Sequence, residues 1–309
     1  MTVAGRATTV GEDAHRRGVI VASRRRHFLV RLDDGEDLEC VLKGRSATLA
    51  CGDCVDVARA AGGGVIESVA PRHSLFYRSD AFKEKLIAAN VDQVVGVVAP
   101  DLTIDEELVN RWAVAAEAEG CRFVLAANKS DKPGFDALVA RLAPYAALGY
   151  EVVPMSAKRD PSPLVPWLAG RHTVLIGQSG MGKSTILNAI APGAAAKTAE
   201  ISEALLTGRH TTTHSTLYPL PEALHDGWIV DSPGMKVFGL AHLAPDAIAH
   251  AFVDIRPLLG QCRFRDCRHD REPGCAVQEA VAAGRVAAHR LALLRSLIAE
   301  SKAARAPGR

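Results

Sequence analysis

At 309 residues, 48% of them hydrophobic and 23% charged, the chain is too long for one domain and apolar enough to bury two or three cores. No apolar run reaches the ~18 residues of a membrane-crossing helix, and the opening MTVAGRATTVGEDAHRRG lacks the hydrophobic block of a secretory leader; a cytoplasmic protein with a flexible start over residues 1–16 is expected. The net charge of +2 divides into +5 over residues 1–31, +5 over 281–309 and so −8 between them, which suits contact with a polyanion at both ends and no membrane.

Residues 17–72 read as all-β. GVIVA, FLVRL, LECVL, CVDVA and VIESV are short apolar or alternating runs, separated by the Gly- and Asp-rich DDGED, KGRSATLACGD and AAGGG. Five short strands at this spacing predict a small barrel of the oligonucleotide-binding (OB) type. Cys51 and Cys54 lie in a Cys-Gly-Asp-Cys turn and read as buried or incidental; Cys40 and Cys121 fall in apolar strands and read as core.

From about residue 85 the pattern becomes α/β and continues to about 245. VDQVVGVVA is nearly unbroken apolar strand, as in a parallel sheet covered on both faces. TIDEELVNRWAVAAEAEG follows as a helix, with Thr103 and Glu106 spaced as a capping box and Gly120 at its end. Strand CRFVLAA, a helix over Phe135–Leu148, strand EVVPM, a short helix near Leu164–Ala169 and strand TVLI continue the alternation. After residue 245 the chain turns helical around a cysteine cluster, then runs into a long helix over 276–300 with a break at Gly284 and a basic tail.

The chemistry-bearing segments lie at strand ends. Gly177, Gln178, Ser179, Gly180, Met181, Gly182, Lys183, Ser184 and Thr185 follow TVLI and open a helix. That is a phosphate-binding loop in its proper context. The glycines let backbone N–H groups curl around a β-phosphate, Lys183 places a positive charge on the β- and γ-phosphates, and Ser184 Oγ is placed to ligate Mg²⁺. WIVDSPGMK puts Asp231 at a strand end, where such proteins hold Mg²⁺ through water, with Gly234 in reach of the γ-phosphate. NKSD supplies Asn128, Lys129 and Asp131. A carboxylate there accepts the adjacent N1–H and N2–H₂ of guanine, donors that adenine lacks. Ser156 and Ala157 of SAK follow the next strand and can offer N–H groups to the guanine O6. In GRHTTTHST, Thr211, Thr212 and Thr213 are all candidates to complete the Mg²⁺ shell, with Thr212 taken at the centre. Met235 occupies the place of a water-orienting glutamine, which leaves His210 first and His214 second for that role.

Guanine-reading segment, SAK, phosphate loop, threonine segment, DSPG is the usual GTPase set cut and rejoined, a circular permutation. Cys262-x4-Cys267-x-His269-x5-Cys275 supplies three thiolates and an imidazole, a closed tetrahedral shell for one structural Zn²⁺. Arg263, Arg265, Arg268 and Arg271 are interleaved with these ligands and suit phosphate contact.

An OB-type barrel over 17–72, a circularly permuted P-loop GTPase domain over 73–245 and a helical zinc-binding domain over 246–309 together closely resemble the ribosome small-subunit-dependent GTPase family, RsgA (also called YjeQ). GQSGMGKST, GRHTTTH, DSPG, NKSD and the cysteine spacing carry the resemblance, over residues 17–298. It implies a multidomain α/β enzyme that binds GTP/GDP and Mg²⁺, hydrolyses GTP when stimulated by the 30S subunit, contacts 16S rRNA, and assists late 30S maturation. The family's histidine in the threonine segment falls on His210, and its C-terminal helix often carries tyrosines where this chain has leucines around Leu291–Leu294. A monomer is expected. The competing reading is a non-catalytic, GTP-gated RNA-binding scaffold.

Overall fold

The computed structural model describes residues 16–24, 26–44, 48–60, 62–79, 84–193, 215–232 and 237–305. The expectations placed on residues 1–15, His210, Thr211, Thr212, Thr213, His214, Gly234 and Met235 lie outside the described residues.

The five expected N-terminal strands form as β1 (Arg16–Arg24), β2 (His27–Leu32), β3 (Asp37–Leu42), β4 (Cys54–Ala60) and β5 (Gly63–Val69). β1 pairs antiparallel with both β2 and β4, β3 joins β2, and β5 lies parallel to β3 and antiparallel to β4. The sheet therefore closes on itself and leaves no edge among these strands. Ile20, Phe28, Val30, Leu32, Val55, Val57 and Ile66 fill its interior. In β4 and β5 the burial alternates along the strand between inward and outward faces. Cys40 and Cys51 are buried and Cys54 is exposed. Asp53 between them is fully buried and satisfied by Arg72 at 2.6 Å and by the Ala50 N–H.

A hairpin follows that the sequence pattern did not reveal: β6 (Leu75–Ser79) and β7 (Glu84–Ala89), antiparallel. Phe76, Ile87 and Ala88 bury into the main core, so tertiary packing rather than a local turn signal specifies it.

The α/β part contains β8 (Gln93–Val98), β9 (Arg122–Ala127), β10 (Glu151–Pro154), β11 (His172–Ile176), β12 (Thr216–Pro219) and β13 (Trp228–Asp231). Five of them run parallel in the order β10-β9-β8-β11-β13, and β12 lies antiparallel on β13. All six residues of β8 are buried, as its continuous apolar run required. Helices α1 (Glu106–Ala118) and α2 (Phe135–Ala147) pack with Trp112, Leu138 and Leu142 on one face. The short α3 (Val165–Leu168) and α4 (Lys183–Ile190) cover the other through Leu168, Ile186 and Leu187.

The start of α1 corrects the expected capping box. Asp105, not Thr103, is the N-cap, and its carboxylate accepts the Leu108 N–H at 3.1 Å. Glu106 is thereby the first helical residue and binds Arg141 at 2.9 Å instead of reaching back to the cap. An aspartate next to the first turn satisfies an orphan N–H directly, which outcompetes the Thr-x-x-Glu spacing.

Strand β12 has a second neighbour. It pairs with β1 at Ala22↔Thr216, so the barrel and the α/β part share one continuous eleven-stranded sheet. Leu175, Asp231, Thr216 and Ala22 stand opposite one another across four successive strands.

Beyond β13, residues 237–243 are held from three sides. The Ser79 N–H donates to Gly239 O and the His242 N–H to Ser79 Oγ; Arg111 donates to Phe238 O; Glu300 accepts the Leu240 N–H. Helices α5 (Pro245–His250), α6 (Ala276–Ala282) and α7 (Ala288–Arg305) follow, and the expected long helix is broken at Gly284. Leu291, Leu293 and Leu294 are buried. So is Arg290, whose guanidinium holds both oxygens of Asp254 at 2.7 Å and Asn110 Oδ1 at 2.6 Å while lying over Phe252.

Candidate functional site

The C-terminal ends of β8, β9, β11 and β13 open onto one cavity of about 660 Å³, the rim where parallel α/β sheets place their ligands. Asp131, Lys183 and Asp231, which are far apart in the chain, all line it.

The turn from β11 into α4 is the phosphate-loop segment. Its close packing dictates glycine. A Cβ at Gly182, where φ is +102°, would overlap the Asn128 carboxamide nitrogen, and one at Gly177 would sit 2.7 Å from Val97 O. Ser179, Gly180, Ser184 and Thr185 line the cavity. Gln178 and Gly177 contribute their carbonyls, which accept from Lys183 Nζ at 3.1 and 2.8 Å. Burial lowers the Lys183 pKa, with Asp231 acting in the opposite sense. Asp231 ends β13 beside the loop. Burial pushes its carboxyl up to about 6 against the pull of Lys183, and its Oδ1 is buried with no hydrogen-bond partner among the described residues. The neighbouring Ser232 turns inward and donates to Leu175 O at 2.6 Å.

Asn128, at the end of β9, ties the expected motifs together. Its Nδ2 donates to Met181 O of the phosphate loop, and its Oδ1 accepts the Ala157 N–H, both at 2.9 Å. That N–H, assigned from sequence to a guanine O6, is thus engaged by Asn128. Lys129, in the left-handed region at φ +65°, stretches over the loop to Gly180 O. Asp131 accepts Ser156 Oγ at 2.7 Å, and chiefly that hydrogen bond holds its carboxyl below the usual range. Its second oxygen lies 3.9 Å from Arg159.

Sequence reasoning missed Asp101 and Lys132 in the cavity wall, which Lys158 of SAK also lines. Asp101 was discoverable: it follows β8, whose C-terminal end meets the same rim as the recognised motifs.

The cysteine cluster lies apart from the cavity, between α5 and α6. Ligand atoms of Cys262, Cys267, His269 and Cys275 all fall within 4.8 Å of one another. The three sulfurs stand 3.4–3.6 Å from His269 Nδ1, and Cys262 and Cys275 are 3.9 Å apart. A tetrahedral shell with Zn–S of ~2.3 Å and Zn–N of ~2.0–2.1 Å has edges of ~3.5–3.8 Å, so these four atoms fit that ion. Glu272 folds the intervening loop by accepting the N–H groups of Arg268, Asp270 and Arg271, and its pKa falls to about 2. Arg263, Arg265, Arg268 and Arg271 are exposed, with Arg263 over the exposed Phe264 ring.

A family model described as RsgA GTPase matches residues 69–241. "Small ribosomal subunit biogenesis GTPase RsgA" of Nitrosospira multiformis is 47% identical over 293 residues, covering 94% of this chain and 93% of its own. The protein of the same name from Burkholderia pseudomallei is 45% identical, covering 92% of each. Among solved structures, YjeQ from Thermotoga maritima superposes with a TM-score of 0.71 at 30% identity, over 93% of this chain and 99% of that one. YloQ, a circularly permuted GTPase, gives 0.68 at 24% identity over 98% and 100%, a likeness of fold. A phosphate loop, the NKSD segment and Asp231 meet at one rim in a permuted chain order, and these matches span nearly the whole length; the chain belongs to the RsgA GTPase family.

Proposed function

We propose that the chain is a GTP phosphohydrolase that binds the small ribosomal subunit and assists its late maturation. The observation that carries this reading is the convergence of Asp131, Lys183 and Asp231 on one cavity, with Asn128 bonded to both the phosphate loop and the SAK segment.

The residues divide the work by chemistry. Asp131 accepts the paired donors of guanine, and Ser156 orients its carboxylate. Adenine would leave that carboxylate unpaired, at a cost that discriminates strongly. Lys129 packs along the base. The N–H groups of the loop and the N-terminus of α4 receive the phosphates, and Lys183 turns from the loop carbonyls to the β- and γ-oxygens. Magnesium fits beside Ser184 and Asp231, because the buried Oδ1 of Asp231 has no hydrogen-bond partner among the described residues. When bound, the ion neutralises charge on the transferring phosphoryl group. Thr212 completes its shell, Gly234 reaches the γ-phosphate, and His210 positions the attacking water. Cys262, Cys267, His269 and Cys275 hold one structural zinc ion.

Residues 17–72 serve as the RNA-binding barrel, 73–245 as the GTPase and 246–309 as the zinc-binding part, whose exposed arginines face 16S rRNA of the 30S subunit. Among the described residues no helix is long and apolar enough to cross a membrane. The protein acts as a monomer in the cytoplasm.

Phosphate release measured with and without 30S subunits tests the reading. Stimulation by the subunits, abolished by Lys183→Ala, is expected. Equal rates with and without subunits would refute the subunit-dependent role, and normal turnover by Lys183→Ala would refute the phosphate contact.

A further inference from the structure

We propose that Asp101 is a positioning residue for nucleotide binding: it anchors Lys129, which in turn fixes the peptide groups of the phosphate loop. The inference rests on the nucleotide reading of the cavity and adds the part played there by a residue outside every motif.

Asp101 lies on the loop between β8 and α1 and lines the cavity. Its Oδ2 accepts from Lys129 Nζ at 2.7 Å, and the same ammonium donates to Gly180 O at 2.7 Å. One residue along, Asn128 Nδ2 donates to Met181 O at 2.9 Å. Two consecutive carbonyls of the phosphate loop are therefore clasped from the guanine-reading segment. A trans peptide holds its C=O and the next N–H on opposite sides of one rigid plane. Clasping Gly180 O and Met181 O thus fixes the planes that carry the Met181 N–H, which donates to Gln178 O at 3.4 Å within the turn, and the Gly182 N–H at the start of α4.

The Met181 carbonyl is held by a buried, doubly bonded amide, which is secure without help. The Gly180 carbonyl is held by the end of a four-carbon chain. A lysine with a single carbonyl acceptor is free to swing into water or toward other anions. A carboxylate on its far side gives the ammonium a fixed charge partner and keeps it extended. Asp101 suits that role because the hydrogen bond from Lys129 draws its pKa below the ordinary carboxylate range, so it stays ionised at neutral pH. At 46% exposure for Asp101 and 24% for Lys129 the pair is only partly shielded, so its effect is modest and salt-sensitive.

The experiment follows release of fluorescent methylanthraniloyl-GDP from the full-length protein by stopped flow. Asp101→Ala should release the label about fivefold faster than wild type at low salt, with the gap narrowing at high salt. KM for GTP should rise while kcat at saturation stays near wild type. Asp101→Asn keeps an oxygen acceptor and should fall between the two. In a Lys129→Met background, Asp101→Ala should add nothing further. Wild-type release rates in Asp101→Ala would overturn the inference and leave the nucleotide reading standing, as would an undiminished effect in the Lys129→Met background. If the alanine variant melts early, Asp101→Asn decides alone: release faster than wild type at low salt supports the anchor, and identical release overturns it. Failure of wild type itself to retain the label would overturn the nucleotide reading, and this inference with it.

Discussion

Replacing Asp231 with asparagine should stabilise the protein while disabling it. The carboxyl stands half-buried at the end of β13, its Oδ1 is buried with no hydrogen-bond partner among the described residues, and burial raises its pKa from 3.8 to about 6. At 1.36 kcal/mol per tenfold change in proton affinity, ionising this group in the fold costs about 3 kcal/mol more than in the unfolded chain. The sign follows from the raised value. The protonated group's contribution is fully present below pH 3.8 and is lost as pH rises through about 6. Asparagine keeps the shape without the charge. In buffer stripped of divalent cations and nucleotide, urea denaturation at pH 7.5 should therefore find Asp231→Asn more stable than wild type by up to about 3 kcal/mol. The advantage should shrink on acidification and vanish below about pH 4. Magnesium-dependent GTP hydrolysis should fall by roughly two orders of magnitude in the same variant. A variant no more stable than wild type at pH 7.5 would refute the claim that this carboxylate is held at a cost for a cation.

Arg290→Met leaves Asp254 and Asn110 Oδ1 without their partner in a buried site and should cost about 3–5 kcal/mol by urea denaturation; Arg290→Met with Asp254→Leu should recover part of it, and a loss below about 1 kcal/mol would contradict the network. Asp131→Asn turns an acceptor into a donor and should shift preference from GTP toward XTP by roughly 10²-fold or more, read as the ratio of kcat/KM values. Metal analysis of reduced protein should find about one zinc per chain; Cys275→Ser should lower it and speed hydrogen exchange over residues 262–275, whereas full retention of zinc would remove the assigned ligand set.

The sequence was most legible where a short segment specifies its own geometry. Strands β4 and β5 announced themselves by alternation, β8 by its unbroken apolar run, and the phosphate loop by glycines, of which Gly177 and Gly182 have no room for a Cβ. The grouping of Cys262, Cys267, His269 and Cys275 was legible because spacing in a loop translates directly into reach. Features decided by partners distant in the chain were not. The β6–β7 hairpin is fixed by Phe76 and Ile87 entering a core built mostly from later residues. The α1 cap was misread because Thr103 and Asp105 both offer a capping side chain, and the one next to the first turn won. Asp101 gained its role only when folding brought it to Lys129, 28 positions along the chain.

The pairing of β12 with β1 has a consequence for cutting this protein apart. Deleting residues 1–72 would bare the outer row of N–H and C=O groups on β12, one strand from Asp231, and a raw margin of that kind recruits other chains. A trimmed enzyme should clump rather than merely lose an appendage. Chimeras that exchange the barrel will need a first strand able to dock at Thr216 as Ala22 does.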